Sequence, residues 1–340
     1  MSLPALEYPE ETPQPPPKRA RWWRKATAIA KWLIFAIVLA LVVRAIILQL
    51  RLIDFHTLHF RLLPLLGATL ALIMVPIIQL VSYRTLLGAY AHRPPWSGLA
   101  SAAWISMLGK YVPGKLASFA GTIYFLRRYQ IPAAIAISVV LVLDGLMVVT
   151  GLIVGAPLLL WEPIHHLLPH GWLWCIILIA LGIICLHPRV YGSLVNFALR
   201  RMGRQPLDHM PPLGIYTLPV ICGFLQWLCV GLMLWMLCRS VGFVSIDRLP
   251  LLISISGLAY TISYMAVFAP GGLGVREAIL LTTLKVVLGP TGPVAIVVVG
   301  SRLLQIVVEL SIALVGMVIL KYSVPPDQSR EGFLAKSTMR

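Results

Sequence analysis

Two short runs in this chain set helix-breaking residues beside cations within otherwise apolar sequence. One is Lys110-Tyr111-Val112-Pro113-Gly114-Lys115, and the other runs Pro270-Gly271-Gly272-Leu273-Gly274-Val275-Arg276-Glu277. In the second, Pro270, Gly271, Gly272 and Gly274 end one half-helix and let backbone N–H groups turn towards a ligand. The next half-helix starts near Val275, bringing the positive end of its dipole to the same place. Arg276 adds a full cation. The first run repeats the device with a Pro113-Gly114 break followed at once by Lys115, and with Lys110 just before it. Two break-then-cation elements make a site for a phosphate or another anionic head group. The plainer alternative is a tight loop between two spans, with Arg276 snorkelling or paired to Glu277 and the lysines reaching the interface.

A third group lies on one predicted helix. Arg302 and Glu309 are seven residues apart, about 10.5 Å along one helix face, with Gln305 between them. A charge inside a membrane is costly unless paired or facing water, so these residues, with Asp144 in an earlier apolar run, are expected to face a polar cavity. Protonation of a carboxylate there could couple movement of a ligand to a proton gradient. A structural pairing such as Asp144 with Arg302 is the alternative. Glu162, His165, His166 and His170 sit in a short loop without further ligands and read as a polar loop rather than a metal site. The glycine run lacks the spacing of a nucleotide-binding loop. No catalytic residue, metal or cofactor is assigned.

The elements that carry these residues follow from composition. The chain has 340 residues, 59% hydrophobic and 12% charged, with a mean hydropathy of +0.88. It is too apolar to present a water-compatible surface, which excludes a soluble globular domain. The formal charge of +16 does not imply nucleic acid, because the basic residues flank apolar runs, where anionic lipid head groups are the nearest partners. The five cysteines all fall inside apolar segments and lack metal-ligand spacing.

A spanning helix needs about 20 apolar residues. Six crossings are expected at Lys31–Leu50, Leu62–Tyr83, Ile131–Leu160, Trp172–Leu186, Leu213–Leu237 and Val294–Leu320. Two more stretches, Trp96–Arg128 and Leu249–Leu288, carry the breaks, and each reads as two spans or as one re-entrant hairpin. With both as hairpins, one side of the membrane receives 18 Lys and Arg and the other receives four. The excess of basic residues on cytoplasmic loops then places both termini in the cytoplasm. The first hairpin enters from the cytoplasmic side and the second from the opposite side, which is an inverted repeat. Paired broken helices in inverted halves point to a transporter's central site. Residues 1–30 are acidic and proline-rich, then basic with Trp22 and Trp23, and are expected to be a disordered cytoplasmic segment. No small-residue cleavage site follows the first apolar run, which is expected to stay as an anchor. Residues 31–321 form the membrane domain and 322–340 a cytoplasmic tail. Within Pro188–Pro212, Val190, Leu194 and Phe197 recur at helical spacing beside four arginines, so this segment reads as an amphipathic helix on the cytoplasmic leaflet or as a charged linker.

On Pro270 to Ala278, with Gly289, Ala295 and Arg302 following, and on Tyr111 to Lys115 with Arg127 or Arg128 downstream, the chain resembles the lysylphosphatidylglycerol synthase transmembrane region, also called the flippase-like domain. The resemblance covers roughly residues 30 to 320. It departs from the family's pattern at Ala117-Ser118, where many members have Gly-Glu, and around Leu141 to Asp144, where a Glu-Arg pair is common. The resemblance implies a lipid-binding or lipid-translocating membrane module. Some members add a soluble aminoacyl-transferase domain, for which this chain has no room, so synthase activity is not expected.

The expectation is therefore an all-α integral membrane protein of about six transmembrane helices plus two re-entrant helical hairpins in an inverted repeat. It would be a multi-pass protein of a cell membrane such as a bacterial inner membrane. It is expected to bind an anionic phospholipid or isoprenoid-linked lipid and move it between leaflets, without nucleic acid. The alternatives are a non-catalytic subunit partnering lipid-biosynthesis enzymes, or a membrane-embedded transferase on a lipid-linked substrate.

Overall fold

The computed structural model describes residues 61–111, 116–162, 170–201, 203–207, 210–242, 244–266, 270–272, 274–288 and 293–322. The expected first span Lys31–Leu50, the N-terminal segment, the tail beyond Tyr322, Pro113, Gly114, Lys115, His165 and His166 lie outside the described residues. What is described is helical throughout: α1 Leu62–Ala89, α2 Trp96–Ser106, α3 Leu116–Arg127, α4 Ala133–Gly155, α5 Gly171–Leu186, α6 Pro188–Arg201, α7 Leu213–Val241, α8 Leu249–Met265, α9 Val275–Leu288 and α10 Pro293–Tyr322. Short 3₁₀ turns at Met107–Tyr111, Ala156–Leu160, Ile246–Arg248 and Pro270–Gly272 extend or join them.

Among the described residues four stretches are long and apolar enough to cross a membrane: Leu62–Ala89, Ala133–Leu160, Leu213–Val241 and Val294–Tyr322. At 1.5 Å per residue their 28 or 29 residues reach about 42 Å, more than the hydrocarbon thickness of a bilayer. At 16 residues, α5 is shorter, and it turns by 67° into α6, so the pair counts as a fifth candidate only when taken as one bent span. The distribution of side chains is that of a lipid-solvated fold. Leu66 and Leu70 of α1, Ile183 and Ile184 of α5 and Val307 and Leu314 of α10 are exposed, whereas Arg276, Arg302 and Glu309 are buried.

Both interrupted stretches form helical hairpins, and contacts at the two ends of α1 fix which end of the bundle each one enters. The amide of Arg61 at the start of α1 donates to Ser240 O at the end of α7, so α1 and α7 run antiparallel with that end in common. At the other end of α1, Arg84 donates to Pro94 O and lies over the Trp96 ring, which brings in the start of α2. Gly98 there packs directly on Tyr129, just past the end of α3, so the first hairpin enters and leaves at that end. The second hairpin does the reverse. It starts at the Arg61 end, where Trp235, near the end of α7, donates its indole N–H to Ser245 O at 3.1 Å just ahead of α8. At 11, 12, 17 and 14 residues, none of the four hairpin helices spans alone. The end where the first hairpin enters carries Arg84, Arg93, Arg127, Arg128 and the α6 arginines, and is the basic end of the bundle.

Along α6, the sequence spacing picks out the outward stripe: Val190, Leu194 and Phe197 are exposed. The packed stripe is offset from it, with Tyr191, Val195 and Leu199 buried in the cluster formed by α1 to α4. The Asn196 side chain both accepts from the Leu207 amide at 2.9 Å and donates to Leu207 O, tying the following loop back on the helix.

The second hairpin seats on α4 through small residues. Gly151 and Gly155 present one face of α4 to Gly257 of α8, where a Cβ on Gly257 would lie 3.0 Å from Gly151 O and Gly155 N. This small-xxx-small spacing lets membrane helices approach backbone to backbone. A Cβ at Gly155 would meet the Leu258 amide nitrogen at 2.8 Å, which backbone cannot yield without moving the helix. Gly155→Ile is therefore expected to push α8 off α4 and destabilise the fold by about 2 kcal/mol or more, in the range for overpacked sites. A thermal melt in detergent reads this, and an unchanged midpoint would contradict the packing.

Candidate functional site

The tips of the two hairpins meet inside the bundle, against the middle of α10. Gly271 has a left-handed φ of 58°, and a Cβ there would lie 3.2 Å from both the Tyr111 ring and Arg302 Nη2. Gly272, with φ 69°, is hemmed in by Ser263, at 2.8 Å from such a Cβ. Only glycine lets the turn adopt these angles and lie so close to the opposing tip. The turn also aims Gly271 O at Arg302 Nη1, which donates to it at 3.2 Å.

The start of α9 is self-capped. Glu277, in the first turn, accepts from the Gly274 amide through Oε2 at 2.7 Å, the reach-back half of a capping box. Its other oxygen, Oε1, lies between two guanidinium groups, 3.5 Å from Arg276 Nη2 and 3.8 Å from Arg302 Nε, and closes a hydrogen bond to neither. Arg302 is thus paired with Glu277 of the second hairpin.

A polar relay connects both tips through α10. Arg276 Nη1 donates to Gln305 Oε1, and Gln305 Nε2 donates to Glu309 Oε1 at 2.6 Å. Glu309 also accepts from Lys110 Nζ and, through Oε2, from the Tyr111 hydroxyl at 2.8 Å. The one-turn spacing of Gln305 and Glu309 sets the two groups on one face, with a cation at one end of the amide and a carboxylate at the other. Arg276 lies over the Tyr260 ring at 4.3 Å and Arg302 over the Tyr111 ring at 5.7 Å. Arg276 is 2% exposed, Arg302 1% and Glu309 7%. Lys110, Arg276 and Arg302 outnumber Glu277 and Glu309 by one positive charge. Among the described residues Nε and Nη2 of both arginines have no hydrogen-bond partner.

Beside this cluster lies a cavity of about 280 Å³. Lys110, Gly271, Gly272, Arg276, Gln305 and Glu309 line it, as does Asp144 of α4, which interacts with Tyr264 and Tyr83. Leu72, Val75, Val308 and Ile312 supply apolar wall. The residues singled out from the sequence therefore converge: Lys110, Gly271, Gly272, Arg276, Glu277, Arg302, Gln305 and Glu309 form one connected cluster, with Asp144 on the same cavity. Pro270 contributes backbone to the turn. Gly274 is exposed, and a Cβ there would meet nothing within 4 Å, so its part is the φ of 85° that opens α9. Tyr111, Tyr260, Gln79 and Gln226 were not foreseen as parts of the site. The two glutamines left a legible signal, a lone amide in an apolar span, and the tyrosines left none, because tyrosine in such spans also suits the head-group level. Among the described residues no three His, Cys, Asp or Glu side chains are placed to hold a metal, and Glu162 and His170 are exposed.

A family model described as the lysylphosphatidylglycerol synthase TM region matches residues 27–313. No curated protein matches the chain.

Proposed function

Because the chain belongs to the lysylphosphatidylglycerol synthase transmembrane-region family, we propose that it binds the phosphate of an anionic lipid at the meeting point of its two hairpin tips and carries that lipid between leaflets. It is a multi-pass membrane protein of a family linked to membrane lipid synthesis or transport. The observation that carries the proposal is the pair of buried arginines whose Nε and Nη2 groups have no hydrogen-bond partner among the described residues. Buried guanidinium donors without acceptors are costly, and a phosphate offers several strong acceptors of opposite charge. In this reading Arg276 and Arg302 hold the phosphate, Lys110 lends charge from the other tip, and the apolar wall receives the first carbons of the lipid. The basic end faces the cytoplasm, so the two hairpins offer the site to opposite leaflets. The chain carries out no chemical step, and the gradient of the lipid or of protons supplies any driving force.

Analysis of the lipid retained by detergent-purified protein tests the binding step. Anionic phospholipid is expected to be enriched several-fold over its share of the source membrane. A retained mixture with the composition of the bulk membrane would overturn the head-group site.

A further inference from the structure

The basic end of the bundle holds a second concave surface, away from the hairpin tips. There α6 leaves α5 at 67°, and because α5 packs along the spanning α4 through Gly182 on Ile153, α6 runs across the bilayer rather than through it. Two of its stripes are described above, one packed inward and one of exposed Val190, Leu194 and Phe197. A third holds Arg189, Ser193, Asn196 and Arg200, which recur three and four residues apart and so share a face. With Leu207, Met210 and Leu213 opposite, this face encloses an open groove of about 1070 Å³.

The groove is strongly one-signed. From His187 to Leu213 the sequence has four arginines, Arg189, Arg200, Arg201 and Arg204, against one acidic residue, Asp208. Among the described residues none of the four arginine side chains makes a hydrogen bond, an ion pair or a ring contact. Cations alone would suit any anion in water, but these stand beside apolar surface. Phe197 is 64% exposed and Leu213 58%, and both line the groove. An amphiphile with a phosphate and a hydrocarbon part matches both features, the guanidinium taking the phosphate and the apolar wall the chain. Arg189 and Arg200 stand about 16.5 Å apart along the helix, so each serves a phosphate of its own. The groove has nearly four times the volume of the tip cavity, room for two neighbouring head groups. At the basic end, the nearest such phosphates are those of the cytoplasmic leaflet.

We infer that the groove beside α6 is a second lipid site, separate from the hairpin tips, which holds anionic phospholipids of the cytoplasmic leaflet by their phosphates on Arg189 and Arg200 and by their chains against Phe197 and Leu213. It keeps anionic lipid at the end of the bundle where the first hairpin enters. The inward stripe of the same helix leads towards the central cavity. Tyr191 packs on Gly145 of α4, where a Cβ would lie 3.1 Å from its ring, and Gly145 follows Asp144 of the cavity wall.

Photocrosslinking from within the groove tests this. The full chain carrying Phe197→benzoylphenylalanine is reconstituted in nanodiscs of equal parts phosphatidylglycerol and phosphatidylcholine, irradiated, and the captured lipid identified by mass spectrometry. One arginine beside an anionic surface is worth about fivefold in affinity. Phosphatidylglycerol is therefore expected to be captured about fivefold or more over phosphatidylcholine, and Arg189→Gln together with Arg200→Gln to bring the ratio to within about twofold. Neither side chain has a partner to lose among the described residues, so this variant should melt with wild type. Arg189→Lys with Arg200→Lys keeps the charge and should keep most of the preference. Equal capture of the two lipids, or a preference unchanged in the glutamine variant, would overturn the inference. A preference lost in Arg276→Met would do so as well, because the captured lipid would then belong to the hairpin tips. Two further results would assign the groove to another occupant and overturn the lipid site. One is displacement of the captured lipid by glycerol phosphate, a soluble anion. The other is a severalfold rise in capture when Glu7, Glu10 and Glu11 are all changed to Gln, which would place the chain's own acidic segment there.

Discussion

Glu309→Leu is expected to be among the most damaging single changes in the chain, and Lys110→Met combined with it is expected to restore most of the loss. Glu309 accepts from Lys110, Tyr111 and Gln305 at once, so its removal strands a cation and two hydrogen-bond donors inside the bundle. Breaking a buried pair from one side costs about 3–5 kcal/mol. The low end applies here, about 3 kcal/mol, because the Lys110 side chain keeps 29% of its surface exposed. Replacing both partners with apolar residues of similar volume is often neutral. The double variant should therefore melt close to wild type while the first hairpin tip has lost its tether to α10. Melting midpoints of the single and double variants complete the cycle. Additive losses would mean that Lys110 and Glu309 do not depend on one another.

Arg276→Met is expected to do the opposite, leaving stability nearly intact and removing affinity for anionic lipid. Its Nε and Nη2 close no hydrogen bond among the described residues, so what folding loses is the link to Gln305, the stack on Tyr260 and the 3.5 Å ion pair with Glu277, whose Oε1 keeps Arg302 beside it. The ligand loses a charged partner, and the cluster's single excess positive charge disappears. Truncating one side of a buried charged hydrogen bond at a binding site costs roughly 2–4 kcal/mol, about thirty-fold to a thousand-fold in Kd. Arg276→Lys retains the charge without the planar fork and should fall between the two, roughly tenfold weaker than wild type. Lipid titration against melting temperature separates the roles. An arginine that serves only the fold would lower the midpoint sharply and leave the affinity of the remaining folded protein unchanged.

The second hairpin was legible because its breakers and its cation interrupt an apolar run, and in a membrane neither is tolerated without a reason. Gln305 and Glu309 followed from helical spacing alone. Partner choice was another matter. The sequence offered Asp144 as a mate for Arg302 and Glu277 as a mate for Arg276, whereas the structure sets Glu277 between Arg276 and Arg302, because the turn at Gly271 lays the start of α9 against α10. That depends on how helices distant in sequence cross, which local pattern does not encode. The contact of Gly151 and Gly155 with Gly257 could have been read from the four-residue spacing in α4, but its mate on α8 could not. On α6 the regular stripe of Val190, Leu194 and Phe197 pointed to amphipathicity, while the face that packs starts at Tyr191, because interior and bilayer are both apolar and hydrophobic spacing cannot tell them apart.

The central claim is that one buried site, assembled from both hairpin tips, handles the charged part of a lipid on its way between leaflets. It is tested most directly by leaflet exchange of a fluorescent anionic phospholipid in vesicles, with wild type and a folded Arg276→Met protein reconstituted at equal density. The account predicts exchange many-fold above protein-free vesicles for wild type, and a rate near background for the variant. Equal rates for the two proteins would place the path elsewhere, and a wild-type rate no faster than protein-free vesicles would contradict translocation itself.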